Sequence, residues 1–176
     1  MGMRATFTVN VDQHSSICFY AQWGSPQFKV AALADFLTDC AATGVLPCGE
    51  AYERYASHHT EGDHFRERIS PHAYPATDHG DLDFRYALTV SGDPEDWSAR
   101  LAITTVLSAD TLGEVQTLEV TSDDTRPILH AAADGLRQMA ATIQARGGRC
   151  GPWTAQEFTD EAARYEARAG LHEAAS

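Results

Sequence analysis

Residues 4–44 read RATFTVNVDQHSSICFYAQWGSPQFKVAALADFLTDCAATG, and this stretch decides the fold. Ala5, Phe7, Val9 and Val11 alternate with Thr6, Thr8 and Asn10, and Ile17, Phe19, Ala21 and Trp23 alternate with Cys18, Tyr20 and Gln22. Successive side chains of a strand point to opposite faces, so a period of two marks two strands of a half-buried sheet joined as a hairpin. The chain then turns at Gly24-Ser25-Pro26. Ser25 suits an N-cap, and Pro26 suits the first helical position, where its missing N–H costs nothing. Val30, Leu33, Leu37 and Cys40 follow at helical spacing, with Phe36 and Ala41 widening the stripe. Gly44 is the residue best able to take the left-handed conformation that ends a helix.

Downstream, residues 50–58 offer a short helix with Ala51, Tyr52, Tyr55 and Ala56 as its apolar side. The chain then changes character. Residues 58–82 carry five of the eight histidines with little periodicity, which predicts a long irregular loop. Three strands are expected next, at about 84–90, 99–107 and 115–121, joined by short turns as an antiparallel meander. Pro127 opens a helix with Leu129, Ala132, Leu136, Met139 and Ile143 on one face, ended by Gly147-Gly148. Thr154-Ala155-Gln156-Glu157 is a capping box, with Trp153 and Phe158 at the two staple positions. The C-terminal helix, at about 154–170, has a thin stripe of Phe158, Ala162, Tyr165 and Ala169, which suits a peripheral position or a homodimer contact. The order ββα, short helix, loop, βββ, αα predicts a single α+β domain over 1–176. It should hold a mostly antiparallel sheet of about five strands, with helices packed on one face.

The net charge of −12 disfavours direct nucleic-acid binding, because a phosphate backbone would be repelled unless the cations clustered. Lys29 is the only lysine, and the arginines are scattered. A weaker alternative is an acidic mimic of nucleic acid. Cys18, Cys40, Cys48 and Cys150 form no C-x-x-C pair, which suits reduced thiols and a cytoplasmic location. No apolar run approaches the length of a membrane span, so no membrane partner is expected.

Catalytic signatures are missing: there is no G-x-S-x-G, S-x-x-K, Walker loop or G-x-G-x-x-G. Ser25 and Lys29 stand four apart on the first helical turn, but the serine already has a capping role. The best cluster of metal-ligating residues is in the loop. His59, Asp63 and His64, with His79 next, are the candidate ligands for a divalent metal, since imidazole and carboxylate suit first-row metals. Their spacing matches no established metal motif, and no cofactor is otherwise evident. Trp23 is expected to close the core end of the sheet. The alternative is that Tyr20, Trp23 and Phe28 line a corner that holds a small pocket or a partner.

Met1-Gly2, Arg4, Tyr20, Trp23, Gly24 and Pro26 resemble the opening of small uncharacterised proteins of bacteriophages and mobile elements. Those run strand, turn, strand and a Tyr-x-x-Trp motif into a Gly/Pro turn and helix. The resemblance covers residues 1–44 and departs where such proteins carry His-Trp-Asp-Gly. It implies an accessory or host-interaction role and no established reaction. Arginine far above lysine, with abundant alanine, resembles coding in a GC-rich bacterial genome or its phage. The reading that follows is an acidic accessory protein acting by binding another protein. The alternative is a metal-dependent hydrolase or metal-binding protein using the His-rich loop.

Overall fold

A computed structural model of the chain describes residues 3–12, 14–59, 64–69, 82–108, 111–147, 150 and 153–174. The elements are β1 (Arg4–Val11), β2 (His14–Ala21), α1 (Pro26–Thr43), α2 (Gly49–His58), β3 (Glu67–Ile69), β4 (Leu82–Asp93), β5 (Asp96–Ser108), β6 (Thr111–Thr121), α3 (Arg126–Arg146) and α4 (Ala155–Ala174). The fold is α+β. Among the described residues six strands form one sheet in the order β3-β2-β1-β4-β5-β6.

Two expectations need correction. Among the described residues the sheet is mixed and has six strands, where a mostly antiparallel sheet of about five is expected. The sixth is β3, which lies inside the stretch read as an irregular loop and pairs antiparallel to β2, with Cys18 opposite Ile69. Its three residues, Glu67-Arg68-Ile69, are too few and too charged to show alternation, so only the edge of β2 makes them a strand. The central pair, β1 and β4, is parallel from Ala5↔Phe84 to Val11↔Val90. The chain between β2 and β4 contains α1, α2 and β3, and a connection of that length returns β4 alongside β1 in the same direction. The expected meander holds for β4, β5 and β6, each antiparallel to the next.

The inward sets of the strands and the buried faces of all four helices share one core. Phe7, Phe19, Tyr86, Leu88 and Leu101 come from the sheet, and Leu33, Leu37, Leu129 and Leu136 from α1 and α3. Phe7, Phe19 and Phe36 present their rings edge-on to Tyr52 of α2 at 5.0–5.1 Å, a favoured aromatic geometry. The Tyr52 hydroxyl accepts the Phe65 N–H at 2.7 Å and so holds the chain after α2 against this cluster. Both helix stops behave as glycine chemistry dictates: Gly44 and Gly147 take φ of 63° and 62°. The capping box closes as expected, with the Thr154 N–H donating to Glu157 Oε2 at 2.6 Å.

α4 lies on α1 and α3, so the stripe of Phe158, Ala162, Tyr165 and Ala169 is covered by the same chain. Asp35 of α1 anchors it. The Tyr165 hydroxyl donates to Asp35 Oδ2 at 2.7 Å, and Arg168 reaches Oδ1 at 2.5 Å. The helix runs to Ala174, four residues past its expected end at about 170. Among the described residues no helix is long and apolar enough to cross a membrane.

Candidate functional site

One end of the sheet is built unlike the rest. The registers Arg4↔Leu82, Phe84↔Thr105 and Val106↔Leu112 place the start of β1, the start of β4 and the tip of the β5–β6 hairpin at the same end. The β2 exit and the N-terminus of α1 lie there too, because Ala21 pairs with Ala5 and the chain then turns into Pro26.

At this end α1 and α3 leave part of β5 and β6 uncovered, and a cleft of about 390 Å³ opens between helices and sheet. Its floor is apolar: Val30 from α1, Phe84 from β4, Ile103 from β5 and Leu118 from β6. Its rim is polar. Gln27 stands on the first turn of α1, Asp134 and Gln138 on one stripe of α3, and Glu114 and Gln116 on β6. Gly135 closes the back. A Cβ there would lie 3.2 Å from Gln27 Cα, so the small residue lets the two helices approach. Ligand sites are lined mostly by apolar side chains with a small number of polar groups, whereas here polar side chains are as prominent as apolar ones.

The same end of the sheet carries exposed apolar side chains, of which Leu112 and Val115, paired with Val106 and Thr104, face away from the cleft floor. Leu107 is 67% exposed, Leu112 51% and Val115 55%, all on the β5–β6 hairpin. Trp23 is 65% exposed and Met3 47%, at the corner where β1 begins and β2 ends. The expectation that Trp23 closes the core is therefore overturned: it lies two residues past the last β2 pair, where the strand has ended and the chain is turning. Trp153 is also exposed, and it reaches the same end through Phe158, whose ring lies 5.7 Å from Phe28 in the first turns of α1. These six are the exposed large apolar side chains among the described residues, and none belongs to the opposite end of the sheet.

The candidate metal ligands fall elsewhere. His59 caps α2 and stacks on Tyr55 at 3.9 Å, with its Nδ1 2.9 Å from the Tyr55 carbonyl. His64 is buried and meets the Tyr55 ring edge-on at 5.4 Å. The two imidazoles are thus brought together, 6.5 Å between centroids. Asp63 and His79 lie outside the described residues. Among the described residues no group of three or more His, Cys, Asp and Glu side chains is arranged to hold a metal ion. Tyr55 and His59 also border a shallow groove with Asp35, Asp39 and Arg168. Burial, reinforced by Asp35 and Asp39, pushes the Tyr55 phenol well above its ordinary value.

Ser25 and Lys29 do not line the cleft. Lys29 is fully buried with its ammonium 4.6 Å from the centre of the Phe65 ring. Ser25 is the N-cap of α1 by backbone conformation, but its side chain makes no capping hydrogen bond, and its Oγ is buried. The cleft itself is a feature that sequence reasoning misses. It depends on where the helices end relative to two strands distant in sequence, and only the solvent-facing apolar Leu107, Leu112 and Val115 leave a trace of it.

Compared with known proteins, the chain matches no family model, no curated protein and no solved structure.

Proposed function

We propose that the protein acts by binding another protein through the end of the sheet that carries the cleft. The observation behind this reading is the gathering of Met3, Trp23, Leu107, Leu112 and Val115 at that end, all solvent-exposed. Apolar residues scattered singly over a surface need no explanation, but their confinement to one end of the sheet among the described residues favours an interaction site at that end. Leu and Trp there lose free energy to water in the isolated chain and regain it when a partner covers them. The strand β6 adds a second means of recognition. Among the described residues it is the last strand of the sheet, and the outer row of backbone donors and acceptors of such a strand can pair with a partner segment. The resemblance of the first 44 residues to phage and mobile-element accessory proteins points to the same kind of role.

The test is site-specific photo-cross-linking in cells of the protein's source. A photoreactive phenylalanine replaces Leu112 in one variant, Trp23 in a second and Thr89 in a third. Thr89 is exposed in mid-sheet and serves as the control. The expected result is one discrete cross-linked protein from positions 112 and 23, none from 89, and its loss when Leu107→Glu is added. Cross-links that are absent, or equal at all three positions, would refute the reading.

A further inference from the structure

We infer that the cleft receives an arginine side chain presented by the bound partner, an inference that rests on the proposed function. The charged groups that line the cleft are of one sign. Two carboxylates, Glu114 and Asp134, stand on the rim, with the side-chain carbonyls of Gln27, Gln116 and Gln138 and the hydroxyl of Thr105. Every one of these groups can accept a hydrogen bond, the amides and the hydroxyl donating as well, and among the described residues no Arg, Lys or His lines the cleft. Glu114 makes no ion pair among the described residues. Asp134 is held by Arg137 at 3.1 Å, but Arg137 is shared with Glu166 of α4. In a chain of net charge −12, this rim attracts a cation.

The shape selects among cations. The floor of Val30, Phe84, Ile103 and Leu118 suits a long aliphatic stem, and the acceptors lie above it. An arginine side chain has that form: an apolar stem, a planar head with five donors, and weaker hydration than an ammonium. A lysine would bring three donors to a larger set of acceptors. A segment running along the open edge of β6 projects alternate side chains to each face of the sheet. One of them would enter the cleft while its neighbours meet Leu112 and Val115.

The experiment is an NMR titration of the isotope-labelled full chain with Nα-acetyl-argininamide, followed through backbone amides and the side-chain amides of Gln27, Gln116 and Gln138. The neutral isostere Nα-acetyl-citrullinamide is the comparison. Arginine should give saturable shifts at the three glutamines, and citrulline should bind more weakly by about fivefold, the size of a solvent-exposed ion pair. Glu114→Gln should weaken arginine binding by a similar factor, while Glu95→Gln in the distant β4–β5 turn should leave it unchanged. Equal binding of the two probes, indifference to Glu114→Gln, or no shifts at the cleft would overturn the inference. If the cleft ignores arginine while Leu112 still cross-links a partner, the inference fails and the binding role stands. If the arginine shifts appear while no partner cross-links, the binding role fails instead.

Discussion

Gly24 and Ala5 lie in direct contact: a Cβ added to Gly24 would come within 2.2 Å of the Ala5 Cβ. This contact seats the turn between β2 and α1 on the start of β1. The Gly24 N–H donates to the Met3 carbonyl at 2.5 Å, and the Gly24 carbonyl accepts the buried Tyr86 hydroxyl at 2.8 Å. Gly24→Ala must therefore push two backbones apart and should cost about 2–3 kcal/mol, the size of an overpacked core site. Tyr86→Phe, which removes the hydroxyl bonded to that carbonyl, should cost about 1–2 kcal/mol. Urea denaturation checks both: the midpoint should fall further for Gly24→Ala, at an unchanged slope.

The Tyr165 hydroxyl is shared between Asp35 Oδ2 and the Ala31 carbonyl, and Arg168 completes the clamp. The phenol is largely buried and the ion pair is partly exposed. Tyr165→Phe should thus lower stability by about 1–2 kcal/mol, whereas Arg168→Ala should cost under about 1 kcal/mol. Hydrogen exchange locates the effect. Amides of α4 should exchange faster in Tyr165→Phe, while those of β1 and β4 keep the rate set by global unfolding.

The elements legible in the sequence are those with a local cause. α1 runs from Pro26 to Thr43 because a proline starts it and a left-handed Gly44 stops it. β4 to β6 are legible because their alternation repeats between short turns. The features that escape are those decided by distant chain. The parallel pairing of β1 with β4 has no signature in either strand. β3 exists only because β2 offers Cys18 to Tyr20 an antiparallel partner. Lys29 falls on the buried face of α1, and its burial depends on Phe65, which Tyr52 holds in place from another helix. Of the candidate ligands, His59 and His64 converge on Tyr55 through aromatic packing, which no spacing rule anticipates.

Alkaline pH should unfold the protein early. Burial pushes the Cys40 thiol from its usual 9.0 up to about 12, helped by the Asp39 charge, and the Tyr55 and Tyr165 phenols also rise. A raised folded-state value means that the folded chain holds its proton where the unfolded chain has lost it. The Cys40 contribution is therefore complete below pH 9 and is lost as pH climbs from 9 to 12. One group of this kind changes stability by up to about 1.4 kcal/mol per pH unit. Urea midpoints measured from pH 8 to 10.5 should fall steadily above 9, and Cys40→Val should flatten the fall. A flat profile in the parent chain would contradict the burial of these groups.

Amine chemistry tests the core from a different side. Lys29 is the only lysine in the chain and has no solvent exposure. An N-hydroxysuccinimide ester needs an exposed, unprotonated amine, so the denatured protein should acquire one label more than the folded protein, on Lys29. The labelling rate of Lys29 under native conditions then reports opening of the region where α1 meets Phe65. Phe65→Ala removes the ring over the ammonium and should accelerate that labelling at least tenfold, since a lost core aromatic costs about 3–5 kcal/mol. Intact-mass measurement reads the label count, and peptide mapping assigns it. Rapid native labelling of Lys29 in the parent chain would show that its amine reaches solvent and that the packing around Phe65 is wrong.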